Sequence, residues 1–186
     1  AYQEVGHAII GSVLKSHDEV EKITLVPRGG AKGLTWFTPE EDQTLVSRSE
    51  LLARIITTVG GRAAERVVFG APELTTGASG DLQRVTSLAR QMVTRFGMSN
   101  IGPIALEDEN NGQIFLGANM TPENSDYAES LADRIDDQVC KIINYCEQKS
   151  VEIIIDNRVI IDLIVEKLLD IETMDGTEFR QLLSTY

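Results

Sequence analysis

The sequence has few of the residues that crosslink small proteins and none of the long apolar runs that span membranes. Cysteine occurs only twice, as Cys140 and Cys146, and this spacing matches neither a Cys-x-x-Cys pair nor a disulfide framework. We therefore expect reduced thiols on a helix in a reducing compartment. No apolar stretch approaches the roughly 20 residues of a membrane-spanning helix, and no signal-peptide pattern opens the sequence.

Positive charge is scarce as well. The formal net charge is -12, because 29 acidic residues oppose 17 basic ones. No cluster of lysine and arginine offers the basic face that nucleic acids require, so we expect no nucleic-acid partner. The length of 186 residues and the 42% apolar content suit one globular domain over residues 1–186. Since the sequence begins inside a predicted helix, we expect a fragment of a longer protein.

Apolar periodicity predicts a mainly α fold with one small β-hairpin. The β-prone runs Ile23–Val26 and Leu34–Phe37 flank a glycine-rich turn and predict the hairpin, and a further short strand is predicted at Gln113–Leu116. Ser47 and Glu50 have the spacing of a capping box at the start of a helix. The predicted helices cover 2–14, about 47–70, a stripe from Leu82 to Phe96, about 122–155, Val159–Leu169 and a short segment after Asp175.

The first predicted helix carries an incomplete copy of the His-Glu-x-x-His motif of zinc hydrolases. It reads Gln3-Glu4-x-x-His7, so a glutamine occupies the first ligand position. Positions 3 and 7 share one helix face, whereas Glu4 lies about 100° round, where a general base would act on a metal-bound water. Gly6 points to close packing or to the approach of a ligand. Taken alone, the pattern is more typical of a hydrogen-bonded helix histidine beside a solvated carboxylate.

Six segments distributed along the sequence supply a more specific signal. In chain order they read AYQEVGHAIIG, ITLVPRGGAKGLTWF, GGRAAERVVFG, LTTGASGDLQRVTSLARQMVTRFGMS, IGPIAL and DGTEFRQLL. Together they resemble the peptidase domain of the FtsH family, which comprises membrane-anchored, ATP-dependent zinc metalloproteases. The run HDEVEKITLVPRGGAKGLTWFTP is most similar to cyanobacterial and plastid members.

The resemblance implies a complete metal site. It places Gln3 at the first ligand position, His7 at the second and Asp81, at the start of a later helix, at the third, with Glu4 as the general base. Without the resemblance, Asp81 would be interpreted as an acid that the helix dipole favours in a first turn.

A second carboxylate competes with Asp81 for the third ligand position. Glu65 lies in the segment GRAAERVV. We interpret it as a supporting residue that holds the ligand helix or pairs with Arg62, Arg66 or a neighbour.

The resemblance also implies that an extended substrate lies along an edge strand by strand addition. The predicted strand with its preceding glycine is the candidate, and it contains Gly33, Leu34, Thr35, Trp36 and Phe37. We interpret at least one of its two aromatic residues as an ordinary half-buried side chain.

The departure at Gln3 affects the metal most directly, because the family has a histidine there. An amide oxygen is a harder and weaker donor than an imidazole and suits calcium or magnesium better than zinc. Since even outer-shell changes cost about 10–100-fold in metal affinity or activity, we predict weak or absent zinc and strongly reduced proteolysis. Three origins stay open: a deliberate inactivating change, a natural, proteolytically silent family member, and a variant that still works. Intact Glu4 and Asp81 favour a single recent or deliberate change.

The resemblance implies a larger assembly than the sequence contains. An ATPase module, which would bind the ATP, and transmembrane helices, which would provide the membrane contact, are expected before Ala1. A homo- or heterohexamer acting on unfolded membrane proteins is expected, with the peptidase on the cytoplasmic or stromal side of a cyanobacterial or plastid thylakoid. The alternatives are a catalytically silent structural subunit of such a ring and an acidic helical adaptor without a metal site.

Overall fold

The computed structural model describes residues 1–14, 19–26, 33–38, 45–106 and 129–185. The mainly α prediction is confirmed. Two 3-10 turns, Ala71–Glu73 and Thr76–Ala78, join the second helix to the third. The helices are α1 Tyr2–Leu14, α2 Arg48–Phe69, α3 Ser79–Thr94, α4 Glu129–Asp156, α5 Arg158–Ile171 and α6 Gly176–Leu183, and the strands are β1 Val20–Thr24, β2 Leu34–Phe37 and β3 Thr173–Asp175.

The helix boundaries follow local capping chemistry. The predicted capping box of α2 is present, since the Ser47 side chain accepts from the Glu50 backbone and the Glu50 carboxylate accepts from the Ser47 backbone. α3 ends at Thr94, before the predicted Phe96, because the chain turns there into Gly97 with its φ of 60°. The predicted strand at 113–116 and the predicted start of the long helix near 122 lie outside the described residues.

The described strands form one antiparallel sheet in the order β2-β1-β3. The predicted hairpin pairs β1 with β2, although β1 covers Val20–Thr24 rather than Ile23–Val26. β3 was not predicted from the sequence, because three residues between two helices are too short for a period-two signal. It pairs with β1 through Ile23 and Met174, and this leaves β2 at one edge of the described sheet.

The core forms where α2 packs between α1 and α4. On the α1 side, the backbones of α1 and α2 come so close that a Cβ on Gly6 would lie 2.7 Å from the carbonyl oxygen of Gly60. The glycine predicted to mark close packing in the first helix therefore does so. None of the helices in the described ranges combines the length and apolar character needed to cross a membrane.

Candidate metal centre and substrate cleft

A cleft of about 980 Å³ opens beside the N-terminal half of α1. Its walls come from α1, α2, β2 and the segment that leads into α3. The four residues predicted as ligands or base all line it, and so do four of the five predicted substrate residues; together these are Gln3, Glu4, His7, Asp81, Gly33, Leu34, Thr35 and Phe37. The fifth, Trp36, is 46% exposed and lines a separate groove of about 320 Å³.

His7 and Asp81 meet in this cleft from helices far apart in sequence. The distance between His7 Nε2 and Asp81 Oδ2 is 3.5 Å, and both side chains are largely shielded from solvent. The Thr57 carbonyl can only accept, so His7 Nδ1, 2.9 Å away, donates to it and carries a proton. In the neutral ring, Nε2 then presents a lone pair to a carboxylate oxygen. The nitrogen and the oxygen attract each other only if a proton or a metal cation lies between them.

The electrostatics of the cleft agree with that requirement. Burial lowers the pKa of the His7 imidazole, but the hydrogen bonds to Asp81 and to the Thr57 carbonyl outweigh it, so the pKa lies above its ordinary value. The surroundings of His7 therefore favour positive charge at Nε2.

A glycine in α2 makes room for the imidazole. A Cβ on Gly61 would lie 2.5 Å from His7 Nε2. α2 thus presents bare backbone to the ring, and the adjacent carbonyl of Thr57 can receive its proton. The sequence showed a pair of glycines in this helix, but only the packing reveals that the second one borders the imidazole.

The first position of the motif carries an amide. Gln3 Nε2 lies 3.5 Å from Thr75 Oγ1, and the same amide lies against Gly77, where a Cβ would approach Nε2 to 2.9 Å. Within the described ranges, no three His, Cys, Asp or Glu side chains group closely enough to hold a metal ion. Gln3 lines the same cleft as His7 and Asp81 and offers an amide there.

Glu4 is held beside the edge strand. Thr35 Oγ1 lies 2.9 Å from the Glu4 carbonyl oxygen and 3.1 Å from Glu4 Oε2. A Cβ on Gly33 would come within 3.1 Å of Glu4 Oε1, so strand and carboxylate are in close contact. Phe37, the other inward-facing residue of β2, packs against Gly11 of α1, as expected for one of the two aromatic residues.

Glu65 was expected to hold the ligand helix or to pair with Arg62, Arg66 or a neighbour, and the residue that it contacts is Thr75 rather than either arginine. Both arginines reach Glu147 on α4 instead, at 3.8 and 3.2 Å. Glu65 is 7% exposed and accepts from Thr75 through both carboxylate oxygens, since Thr75 Oγ1 lies 2.9 Å from Oε1 and Thr75 N lies 3.3 Å from Oε2. The arginines point to the α4 side of α2, whereas Glu65 points to the cleft.

Thr75 is a further residue of this site that sequence reasoning missed. Its hydroxyl contacts Glu65, Gln3 and the backbone N–H of Gly77. Its position as N-cap of the turn Thr76–Ala78 is a signal that the sequence LTTG could have provided.

Residues 1–182 match the family profile described as Peptidase family M41. The chain belongs to this family. Over all 186 residues it is 79% identical to the ATP-dependent zinc metalloprotease FtsH of Trieres chinensis. It is 54% identical to the chloroplastic ATP-dependent zinc metalloprotease FTSH 6 and 50% identical to the chloroplastic FTSH 2, both of Arabidopsis thaliana. The chain spans 29%, 27% and 26% of the length of these three relatives.

Membership of family M41 confirms the resemblance to FtsH and makes zinc the metal against which the cleft is tested. Two ligands about 2.0–2.1 Å from one tetrahedral zinc ion lie about 3.3 Å apart. The 3.5 Å between His7 Nε2 and Asp81 Oδ2 is close to this separation, and in the neutral ring Nε2 presents its lone pair to Asp81. His7 and Asp81 fit a shared zinc ion, whereas Gln3 offers the weaker amide oxygen.

Proposed function

We propose that the chain is the proteolytic part of a membrane-anchored, ATP-dependent zinc endopeptidase, and that Gln3 weakens its metal site. The convergence of His7 and Asp81 at 3.5 Å, with Glu4 lining the same cleft, carries this proposal. His7, Asp81 and the side chain at position 3 are the proposed ligands, and Glu4 is the proposed general base.

The residues of the cleft supply most of the chemistry of peptide hydrolysis. A zinc ion bound there would acidify a water molecule and withdraw electrons from the scissile carbonyl. Glu4 accepts the proton of the attacking water and returns it to the leaving amine. The hydroxyl of Thr35 lies within hydrogen-bond distance of both the backbone carbonyl and the carboxylate of Glu4 and so anchors Glu4 beside β2. The Thr57 carbonyl keeps the neutral ring of His7 in the tautomer with a lone pair on Nε2.

The edge strand β2 is the proposed binding site for the polypeptide. An extended segment would add, through main-chain hydrogen bonds, to the side of β2 on which the sheet of described strands ends. Leu34 and Trp36 point outward and are 37% and 46% exposed, whereas Thr35 and Phe37 face α1. Main-chain pairing explains how one cleft accepts many unfolded sequences, since it does not depend on substrate side chains.

The proposal extends to the whole protein. By analogy with the relatives, ATP would act on a separate module of the longer chain, and unfolded membrane proteins would be the substrates. A hexameric ring at a plastid thylakoid membrane, with the peptidase on its stromal side, is the proposed setting.

Cleavage of unfolded polypeptide tests the proposal. With fluorescent casein and added zinc, the Gln3→His variant is expected to cleave at least 10-fold faster than the chain as given, because an imidazole replaces the amide in the metal site. The double variant Gln3→His/Glu4→Gln is the matched control and should cleave on the order of 10²–10⁴-fold more slowly than Gln3→His. Equal cleavage by the chain as given and by Gln3→His would overturn the proposed impairment.

The second candidate is a catalytically silent structural subunit of a hexameric ring. It is favoured by the lack, in the described part of the chain, of three His, Cys, Asp or Glu side chains grouped for a metal. Under this alternative the Gln3→His variant would stay silent although it folds.

A further inference from the structure

The contacts around Thr75 have a fixed direction. Both oxygens of the buried Glu65 accept from Thr75, because the Thr75 backbone N–H donates to Oε2 and the Thr75 hydroxyl donates to Oε1. A hydroxyl has one proton, so the proton of Thr75 Oγ1 points to Glu65 Oε1, 2.9 Å away. Toward every other neighbour, Thr75 Oγ1 can then act only as an acceptor.

This direction constrains the side chain at position 3. Of the two lone pairs of Thr75 Oγ1, one accepts from Gly77 N at 3.2 Å, and the other faces the Gln3 amide at 3.5 Å. The partner at position 3 must therefore be an N–H group. For Gln3 this turns Nε2 toward Thr75 and leaves the lone pairs of Oε1 for another partner, which removes the usual ambiguity between the two amide atoms.

The backbone of the turn at Gly77 also limits the position of the Gln3 amide. A Cβ on Gly77 would approach Gln3 Nε2 to 2.9 Å and Oε1 to 3.1 Å, so the amide lies directly against the backbone of this turn. Gln3 also lines the cleft shared by His7 and Asp81.

We propose that Glu65 and Thr75 are positioning residues that orient the ligand at position 3, whether that ligand is a glutamine or a histidine. With a glutamine, the N–H side of the amide faces Thr75 and the oxygen is left for the metal. With a histidine, one ring N–H would donate to Thr75 Oγ1 and the other nitrogen would keep its lone pair. The inference rests on the proposed metal site.

The consequence is measurable as metal affinity. A partner that orients a ligand from outside the metal shell typically contributes about 10–100-fold to affinity. Thr75 is exposed apart from these contacts, so its substitution leaves the core unchanged. Thr58 provides a matched control, because it lines the same cleft but donates its hydroxyl proton to the Arg54 carbonyl within α2, at 2.8 Å.

The experiment uses the Gln3→His chain and three further substitutions placed in it: Thr75→Val, Thr75→Ser and Thr58→Val. Zinc affinity is measured by competition with a chromophoric chelator, and the ligand geometry is followed by the visible absorption of bound Co²⁺. We expect Thr75→Val to weaken zinc binding about 10–100-fold and to change the Co²⁺ spectrum, whereas Thr75→Ser restores both within a few-fold and Thr58→Val leaves both unchanged. Equal affinities for Thr75→Val and its parent would overturn the inference.

A metal-independent measurement separates failure of the inference from failure of the proposed function. In the chain as given, NMR should show nuclear Overhauser effects between the Gln3 side-chain amide protons and the Thr75 methyl group. Thr75→Val should shift the amide resonances and speed their exchange with water, and Thr75→Ser should not. If Gln3→His binds no zinc but the NMR result is as expected, only the proposed metal site is contradicted. If Thr75→Val leaves the Gln3 amide resonances unchanged, the positioning role is contradicted.

Discussion

The two sides of α2 are built in opposite ways. Toward α1, the helix offers bare backbone, because a Cβ on Gly60 would lie 2.7 Å from Ile10 and one on Gly61 would lie 2.5 Å from His7. This side also contains a buried hydroxyl, Thr57 Oγ1, for which the described residues provide no hydrogen-bond partner.

Toward α4, side chains fill the contact and complete the hydrogen bonds. Ser150 Oγ donates to the Ile56 carbonyl at 2.6 Å, and Cys146 Sγ–H points to the Leu52 carbonyl at 3.9 Å. Ser150 and Cys146 are both fully buried. The α4 side therefore contributes stability, whereas the α1 side gives up helix propensity and packing so that His7 can approach the backbone of α2.

The largest expected effect is a loss of peptide cleavage, without a loss of stability, when a residue on the α1 side is changed. In the Gln3→His chain, Glu4→Gln should lower casein cleavage on the order of 10²–10⁴-fold, because it removes the proposed general base. Its thermal midpoint should stay within a degree or two of the parent, since Glu4 contacts the hydroxyl of Thr35 and does not belong to the apolar core. Glu152→Gln on the exposed face of α4 is the control and should cleave at the parental rate.

A methyl group in the glycine contact should affect metal binding and stability together. Gly61→Ala places a Cβ against His7 Nε2, so the imidazole must move, and overpacking of this kind costs about 1–3 kcal/mol. We expect zinc affinity of the Gln3→His chain to fall at least 10-fold in a chelator competition. Gly80→Ala, whose Cβ would meet nothing within 4 Å, should be close to neutral; equal effects of the two alanines would contradict the account.

The α4 side should respond in stability only. Ser150→Ala removes the donor to the buried carbonyl of Ile56, and we expect the free energy of unfolding to fall by about 1–3 kcal/mol in urea denaturation. Zinc affinity should not change, because Ser150 belongs to α4 and is not among the described residues that line the cleft.

Thr57→Val should change stability in the other direction. The hydroxyl of Thr57 is buried without a partner among the described residues, so an isosteric apolar group should raise the free energy of unfolding by about 1 kcal/mol. His7 should keep its orientation, since it donates to the backbone carbonyl rather than to the hydroxyl. A loss of stability would show that the hydroxyl does have a partner.

The smallest effect concerns the two thiols. Burial raises the pKa of Cys146 to about 12, whereas Cys140 is exposed. At pH 8, iodoacetamide should modify Cys140 and spare Cys146 until the protein unfolds. Below about pH 9 the Cys146 thiol keeps its proton in both the folded and the unfolded protein. Between about pH 9 and pH 12 the unfolded protein loses this proton while the folded protein keeps it, so the contribution of Cys146 to the free energy of unfolding should decline over that interval.

Local signals predicted most of the elements. The capping box of Ser47 and Glu50 and the apolar periodicity of α1, α2 and α5 depend on neighbours in sequence, and the structure reproduces them. β3 was missed because its three residues become a strand only by pairing with β1.

The site required long-range information. Gln3, Glu4 and His7 could be singled out from helical spacing, but Asp81 could be chosen over Glu65 only through the family resemblance. The contact between Glu65 and Thr75 and the approach of Gly61 to His7 depend on how α1, α2 and the turn before α3 pack together. The sequence pattern alone does not contain that information.

Equilibrium zinc binding to the chain as given and to its Gln3→His variant tests the central claim most directly. Both proteins are freed of metal with a chelator and titrated with zinc under the same conditions, with Gln3→His/Asp81→Asn as the control for the shared site. The account predicts one tightly bound zinc ion in Gln3→His and at least 10-fold weaker binding both in the chain as given and in the control. Stoichiometric binding of zinc to the chain as given, with the affinity of the Gln3→His variant, would contradict it.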